Sequence, residues 1–237
     1  MATILLVAGA YQGGWCYEKL VPLLKEAGHD VLTPDLSGLA SRRHLADMGT
    51  INLETHINDI VNLIEGCNLR DVVLCGHSYA GLVITAVADR LTDRVSTLVY
   101  LDAELPTKTG DTLFSLFPEL VPLTIGTCAE LGGFMLAPVP SAAFGTAQEH
   151  QAWVDARQTP QPLSTFTQQV TLTGAHHGVP KRVLIYNARD IGFPTPMPGW
   201  YEAYRGNARD HVYGIDSSHL MMIDSPQEVA RIILEHA

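Results

Sequence analysis

The stretch at 71–91, DVVLCGHSYAGLVITAVADRL, constrains the fold more than any other part of the chain. Its first half, at 72–75, is a short apolar and β-branched run that is typical of a buried parallel strand. Its second half, from Ala80 on, is apolar on nearly every side, which is typical of a buried helix. A chain that turns from strand to helix this sharply must hold one residue in a strained conformation, and small neighbours make room for it. The spacing predicts that Ser78 lies at the tip of this turn.

A serine at such a tip is a candidate nucleophile. A serine hydroxyl is weakly reactive alone, so it needs a base and two hydrogen-bond donors for the developing oxyanion. The alternative is a glycine-rich turn that only packs or that cradles a phosphate, but neither G-x-G-x-x-G nor G-x-x-x-x-G-K-[ST] is present. The usual nucleophile motif is G-x-S-x-G. Here Ala80 takes its last position and the glycine follows at Gly81, which is a modest steric departure.

The rest of the chain alternates strands and helices on either side of one interruption. The order up to residue 101 is β-α-β-α-β-α-β, which indicates a parallel sheet with helices on both faces. Between 103 and 180 the alternation stops, and a stretch of this length is too long for a plain loop. We therefore expect an α/β core of residues 1–102 and 181–237 and an inserted helical lid of residues 103–180 over the strand ends. The six predicted strands lie at 3–7, 30–34, 72–75, 96–101, 183–186 and 212–215.

The partners of Ser78 are sought directly after strands, because ligands of an open parallel sheet lie beyond the carboxyl ends of its strands. His219 follows the last predicted strand, and Asp190 follows the strand before it. The order Ser78, Asp190, His219 is the one expected of a serine hydrolase with this topology. In it, His219 is the general base and Asp190 orients the imidazole. Asp102, directly after the strand at 96–101, is the rival acid, and its alternative role is to anchor the lid.

The second oxyanion donor is expected from the loop at 8–11, where the amide of Ala10 would join the amide of Tyr79. The side chain of His77, beside the serine, is expected to point away from the cleft. The histidine pair at 176–177 raises the question of a metal site. No Asp, Glu or Cys accompanies it at ligand spacing, so a solvated turn is favoured and no metal is predicted.

With these residues in place, the sequence resembles the α/β-hydrolase superfamily over its whole length. More narrowly, it is similar to the small esterases grouped with plant methyl esterases and hydroxynitrile lyases, and to their bacterial relatives. The resemblance implies catalytic Ser78, His219 and Asp190, with backbone donors at Ala10 and Tyr79. It also implies no cofactor, a lid that supplies an apolar pocket and, frequently, a homodimer. The stretches that carry it are AGAYQGGWCY at 8–17, PDLSG at 34–38, GHSYAG at 76–81, LVYLDAELP at 98–106, ARDIGFP at 188–194 and SSHLMMIDSP at 217–226.

Three positions refine the resemblance. Lyases of this group carry Lys after the catalytic His and Thr in the oxyanion loop, where this chain has Leu220 and Gly9. Relatives also carry His where this chain has Ala8, and that histidine side chain helps to brace the oxyanion loop.

The prediction is a cofactor-free serine hydrolase that cleaves carboxylic esters of small to medium, largely apolar molecules through an acyl-enzyme. Hydrolysis of lactones, amides or carbon–carbon bonds is the alternative, followed by a hydroxynitrile lyase and a non-catalytic ligand-binding protein.

Apolar side chains of the lid are expected to form the pocket. Such a pocket favours uncharged aromatic or short-chain acyl groups over charged substrates. The predicted pocket residues are Tyr11, Asp102, Phe114, Phe117, Phe134 and Leu220, with Leu113, Leu116, Leu120, Leu123, Met135 and Phe166 as further candidates for its walls.

Composition and charge restrict the possible binding partners and the cellular compartment of the protein. The formal charge of −10, without any Lys/Arg-rich run, argues against nucleic acid and anionic membrane surfaces. No stretch approaches the ~18 apolar residues of a membrane helix. The apolar run at the N-terminus lacks a preceding basic residue, so a strand is predicted there rather than a signal peptide. The four cysteines show no ligand spacing and are expected to be reduced, and the expected location is the cytoplasm.

Overall fold

The computed structural model describes residues 1–46, 50–192 and 195–237, so the last two residues of the motif at 188–194 lie outside it. Its strands are β1 (Thr3–Val7), β2 (Asp30–Leu32), β3 (Val72–His77), β4 (Val95–Leu101), β5 (Met135–Leu136), β6 (Gln161–Pro162), β7 (Lys181–Asn187) and β8 (Asp210–Ile215). Six of them form one sheet in the order β2-β1-β3-β4-β7-β8, in which every neighbouring pair is parallel. The predicted parallel six-stranded sheet is therefore confirmed. β5 and β6 form a separate antiparallel pair.

Helices connect these strands and flank the sheet. A 3₁₀ turn at Gly14–Tyr17 precedes α1. The α2 helix begins after Asn52, whose side chain accepts a hydrogen bond from the amide of Thr55 at 3.0 Å. Within the described residues the α-helices are α1 (Leu20–Glu26), α2 (Leu53–Gly66), α3 (Ala80–Arg90), α4 (Leu113–Leu116), α5 (Leu120–Cys128), α6 (Gln148–Asp155), α7 (Ser164–Thr167), α8 (Met197–Glu202), α9 (Met221–Asp224) and α10 (Pro226–His236).

The sheet separates two apolar layers, because successive side chains of a strand point to opposite faces. On one face, strand residues such as Leu74 and Leu98 pack against α2 and α3. On the other face, strand residues such as Val73 and Val99 pack against α1 and α10. No helix in the described part of the chain is long and apolar enough to cross a membrane.

Residues 103–180, called the cap segment below, contain the four helices α4 to α7 and the β5–β6 pair. The α5 helix was not predicted, since Pro122 and Gly126 interrupt its sequence and its apolar residues follow no helical period. Tyr201 of α8 ties the start of the segment to the core, because its hydroxyl donates to the carbonyl of Ala103 at 2.6 Å and accepts from the amide of that residue at 2.9 Å.

Asp89, near the end of α3, holds the far end of the cap segment. Its side chain is 3% exposed, and it accepts hydrogen bonds from the amides of Thr173 (2.6 Å), Gly174 (2.9 Å) and His176 (3.1 Å) and from His176 Nδ1 (2.9 Å). His176 is therefore buried, contrary to the solvated turn that was expected for the pair, whereas His177 is exposed as expected. Burial raises the pKa of the Asp89 carboxyl, but the hydrogen bonds from Thr173 and His176 outweigh it and hold that pKa well below its ordinary value.

We expect Asp89→Asn to lower the free energy of unfolding by ~3 kcal/mol at neutral pH, because an amide nitrogen would face donors that now meet a carboxylate. A depressed pKa stabilises the fold above the unfolded-state pKa, and that contribution is lost as the pH falls through the folded-state pKa. The difference between the variant and the wild type should therefore persist above about pH 4 and shrink in stronger acid. Urea unfolding at several pH values measures it, with the exposed Asp93→Asn as the matched control. Equal effects of the two substitutions would contradict the anchoring role.

Candidate active site

Ser78 occupies the predicted turn between β3 and α3. Its backbone is left-handed, with φ at 51°, a strained conformation for a residue other than glycine. Hydrogen bonds hold it there: its amide donates to the carbonyl of Leu101 at 3.2 Å, and its carbonyl accepts from the amides of Gly81 at 2.9 Å and Glu104 at 3.3 Å. The turn is therefore fastened to the end of β4 and to the first residues of the cap segment.

Gly81 explains the departure from the usual motif. A Cβ atom at position 81 would lie 1.9 Å from the carbonyl oxygen of Glu104, which no side chain can accommodate without a shift of the backbone. Ala80 is fully buried, so its methyl group is accommodated in the core. In this chain it is therefore position 81 of the motif, and not position 80, that must be glycine.

His219 lies in the loop after β8, and its ring is held on one side by Asp102. The distance from His219 Nδ1 to Asp102 Oδ2 is 2.7 Å, and the other carboxylate oxygen of Asp102 accepts from the amide of Asn187 at 3.0 Å. Asp102 is fully buried and follows β4 with φ at 45°. A carboxylate bound to Nδ1 leaves Nε2 as the free nitrogen of a neutral imidazole, which is the arrangement of a general base.

Asp190, predicted to be the acid of the triad, does not take that place. Its side chain is exposed, and its Oδ1 accepts from the amide of Gly192 at 2.9 Å in a local turn. The prediction was wrong because both aspartates follow strands and both satisfy the order Ser, Asp, His along the chain. Asp102 immediately follows β4, which is paired with the strand of Ser78, whereas Asp190 lies three residues beyond the end of β7. Asp102, the rival acid and a predicted pocket residue, therefore orients His219 and does not line the pocket.

Backbone strain is concentrated at this site. Six described residues other than glycine have positive φ. Three of them, Tyr11, Ser78 and Asp102, belong to the loops that surround the cavity. Strain of this kind persists only where neighbouring contacts enforce it, and it is common at functional sites.

The two predicted oxyanion donors lie beside the serine. A Cβ atom at Gly9 would lie 3.1 Å from Ser78 Cβ, so the loop at 8–11 passes next to the nucleophile. Among the described residues, no acceptor forms a hydrogen bond with the backbone amide of Ala10 or of Tyr79. The next amide along, that of Tyr11, donates to Gln161 Oε1 at 3.0 Å, and this hydrogen bond holds the loop beside the nucleophile.

His56 holds the side chain of Tyr79 in place through a hydrogen bond. His56 Nε2 lies 2.8 Å from the carbonyl of Ser37 and therefore donates to it, so His56 Nδ1 accepts from the Tyr79 hydroxyl at 2.9 Å. Burial lowers the pKa of His56 to about 4, which keeps its ring neutral in this role. The contact orients the residue whose amide would complete the oxyanion hole.

His77, expected to point away from the cleft, contacts the cavity. Its ring lies 4.6 Å from the ring of His219, and its Nε2 donates to the carbonyl of His219 at 2.9 Å. Burial, together with the nearby His219, holds the pKa of His77 well below its ordinary value. A Cβ atom at Gly9 would lie 2.6 Å from His77 Nδ1, so this histidine also leaves no room for the lyase threonine at position 9.

The cavity above Ser78 has largely apolar walls, several of which come from the cap segment. Of the predicted pocket residues, Tyr11, Phe117 and Leu220 line it, as do Leu113, Leu120 and Phe166 among the further candidates. Phe114 packs behind Phe166, with ring centroids 5.5 Å apart, and does not reach the cavity. Phe134 is 47% exposed and lies outside it. Both predictions were wrong because hydrophobicity does not tell a wall from the surface or core of the cap segment.

Glu104 is the main residue of the cavity that the sequence analysis missed. It lines the cavity with Gln12, Phe144, Gln158, Thr195 and Met197, none of which was predicted. It is 1% exposed, and its Oε2 has no hydrogen-bond partner among the described residues. Burial raises the pKa of the Glu104 carboxyl to about 7, and Asp102 adds to this while His219 opposes it. The signal in the sequence was a carboxylate between apolar residues, two positions after Asp102, at the end of a buried strand.

Ser78 and His219 line the same cavity but do not hydrogen-bond to one another in this structure. Serine–histidine contacts of this kind are often long in unliganded enzymes and tighten when substrate binds. Among the described residues, no group of three or more His, Cys, Asp or Glu side chains could hold a metal ion. The reactive groups at the cavity are a hydroxyl, an imidazole with its carboxylate, two backbone amides and the carboxyl group of Glu104.

Comparison with known proteins agrees with the fold. Residues 4–232 match the model of the alpha/beta hydrolase family, and the chain belongs to this family. It is 38% identical to the carbendazim hydrolyzing esterase of Nocardioides sp. (strain SG-4G), with 97% of each chain covered. It is 36% identical to methylesterase 2 of Arabidopsis thaliana over 43% of this chain and 39% of the relative. An extracellular α/β-hydrolase from a Paenibacillus species has the same fold, with a TM-score of 0.86, 19% identity and coverage of 100% of this chain and 99% of the other.

These relatives also confirm two predictions made from the sequence. The resemblance to plant methyl esterases and their bacterial relatives is confirmed by the matches to methylesterase 2 and to the bacterial esterase. The predicted class, a carboxylic ester hydrolase, is confirmed by the near full-length esterase relative within the hydrolase family.

Proposed function

We propose that the protein hydrolyses carboxylic esters with Ser78 as nucleophile, His219 as general base and Asp102 as the acid that orients it. The observation that carries this proposal is the Asp102–His219 contact of 2.7 Å, at the edge of the same cavity that Ser78 lines. A serine hydroxyl becomes reactive only beside such a base. The proposed donors to the oxyanion are the amides of Ala10 and Tyr79, which have no other acceptor among the described residues.

The proposed reaction has two halves. Ser78 Oγ attacks the ester carbonyl carbon while His219 Nε2 takes its proton, and the carbonyl oxygen becomes the oxyanion held by the two amides. The carbon–oxygen bond to the alcohol then breaks, and His219 gives its proton to the departing alcohol. Water attacks the acyl-enzyme with His219 again as base, which releases the acid and restores the Ser78 hydroxyl.

The proposed substrates are small to medium esters with an apolar aromatic part. Aromatic and aliphatic walls such as Phe117, Phe144, Phe166 and Met197 support this choice. The names of two relatives suggest where to begin: methyl esters, and carbendazim. A lactone would be opened by the same groups.

The proposal is tested by covalent trapping together with turnover. A fluorophosphonate should form a bond from Ser78 Oγ to phosphorus with loss of fluoride, which mass spectrometry locates on the peptide containing residue 78. The wild type should hydrolyse p-nitrophenyl acetate and p-nitrophenyl butyrate. Methyl benzoate and carbendazim are tested in the same assay series. Ser78→Ala should lose at least about a thousandfold in kcat. Ser225→Ala, outside the cavity, is the matched serine control. Unchanged turnover in Ser78→Ala, or labelling at another serine, would refute the assignment.

We further propose that the protein works in the cytoplasm as a small-molecule hydrolase without a cofactor. The four cysteines support a reducing compartment, because all are free thiols and Cys67 is exposed. A homodimer remains part of the proposal, and light scattering of the purified protein tests it.

A further inference from the structure

Several residues that line the cavity carry buried polar atoms that the triad does not use. Glu104 Oε2, Gln12 Oε1 and the Tyr11 hydroxyl lack hydrogen-bond partners among the described residues, and all three side chains are at least 96% buried. The three residues line the cavity together with Ser78 and His219. Buried polar groups in folded proteins nearly always have partners, so a set without them at a binding cavity indicates groups that meet a ligand.

The chemistry of these atoms defines the ligand group that would satisfy them. The oxygen of an amide and that of an ionised carboxylate accept hydrogen bonds and cannot donate, whereas a tyrosine hydroxyl can do both. A ligand facing this set must therefore bring donors. The nearby titratable groups are His219, Asp102 and Tyr201, and the first two already have the roles described above.

Glu104 is not a second member of the triad. The Nδ1 of His219 is taken by Asp102, and the carbonyl of His219 accepts from His77. The backbone of Glu104 is fixed against the nucleophile turn through its amide, which donates to the Ser78 carbonyl at 3.3 Å. Its side chain therefore starts at a fixed position beside the reacting serine, while one oxygen of its carboxyl group, Oε2, has no partner among the described residues.

We propose that Glu104 is a specificity-determining residue that recognises an N–H donor on the substrate, an aromatic or heteroaromatic ester carrying an N–H group beside the scissile bond. This inference rests on the proposed ester hydrolysis and narrows its substrate class. The aromatic walls hold the ring, and the carboxylate accepts the N–H. Because burial raises the pKa of Glu104 to about 7, the group accepts best above that pH. The preference for N–H substrates should therefore weaken as the pH falls below about 7.

Matched esters that differ only in the donor test this proposal. For the acid part the pair is the p-nitrophenyl esters of indole-2-carboxylic and benzofuran-2-carboxylic acid, and for the alcohol part it is the acetates of 7-hydroxyindole and 7-hydroxybenzofuran. The wild type should favour the indole member of at least one pair by about tenfold or more in kcat/KM. Glu104→Leu should bring that ratio to near one, and Glu104→Gln, which keeps an accepting oxygen, should give an intermediate ratio. The exposed Glu26→Leu is the control and should keep the wild-type ratio.

The ratio of kcat/KM for the two members of a pair is measured within one variant. A general loss of activity lowers both values equally and therefore does not change the ratio. Calorimetry with 2-acetylindole and 2-acetylbenzofuran, ketones in which only the ring N–H differs, gives a second readout that needs no turnover. The wild type should bind the indole ketone more tightly, and Glu104→Leu should not distinguish the two. A ratio near one for both ester pairs in the wild type, or a preference that survives in Glu104→Leu, would overturn the inference. If no ester is turned over and no fluorophosphonate label appears, the proposed function fails, whereas the calorimetric comparison still decides the role of Glu104.

Discussion

Asp102→Asn should lower kcat for ester hydrolysis by about four orders of magnitude with little change in KM. An asparagine can still accept the hydrogen bond from the amide of Asn187, so the local fold should persist. It cannot hold the proton of His219 on Nδ1, because its amide group would turn a donor toward that nitrogen and favour the wrong tautomer. It also lacks the charge that stabilises the imidazolium formed during attack. Steady-state kinetics with p-nitrophenyl acetate measure the loss, and the melting temperature checks the fold.

Asp190→Asn is the matched control, since it makes the same chemical change at the other aspartate that follows a strand. Its side chain is exposed and bonds only to its own turn, so kcat should stay within about twofold of the wild type. The reverse result, with a large loss in Asp190→Asn and a small one in Asp102→Asn, would show that the loop after β7 supplies the acid during turnover.

Gly81→Ala should have the largest effect on stability, lowering the free energy of unfolding by ~3 kcal/mol or more. The added Cβ would lie 1.9 Å from the carbonyl oxygen of Glu104, and the nearest atoms all belong to the backbone of that residue. The helix or the start of the cap segment must then shift. Since Glu104 also contacts the carbonyl of Ser78, esterase activity should fall as well. Urea unfolding of the purified variant measures the first effect.

Gly126→Ala provides the comparison, because Gly126 lies within the α5 helix and a Cβ atom there meets nothing within 4 Å. Alanine is the better helix former by about 0.8–1 kcal/mol, so this substitution should be neutral or stabilising. If the two glycine substitutions had equal effects, the close approach at position 81 would have no energetic weight.

At the site, the sequence identifies Ser78 and His219 but does not decide which aspartate is the acid of the triad. Ser78 and His219 could be found because each has a local signature, a strand-to-helix turn in one case and the loop after the last strand in the other. Two aspartates satisfied the same rule for the acid. Which of them meets the imidazole depends on the distance across the sheet, and chain order alone does not contain that distance. The structure pairs His219 with Asp102.

The cap segment was harder to predict for a different reason. Its helices are short, and α5 contains a proline and a glycine, so no sustained period marks them. Apolar side chains in such a segment face the cavity, the core or the surface with equal plausibility, as Phe117, Phe114 and Phe134 show. Glu104 escaped notice because a single carboxylate carries no periodic signal, and its burial is a tertiary property.

The amino-acid sequence by itself determined the parallel sheet, its six strands and the strand-to-helix turn at Ser78, because apolar periodicity and turn chemistry are local properties of a chain. Only the tertiary structure decided which carboxylate orients His219, which apolar side chains form the cavity, and that Glu104 lies in it without a partner. These depend on which strand ends and cap elements meet in space, and contacts between residues far apart in the chain leave no trace in local pattern.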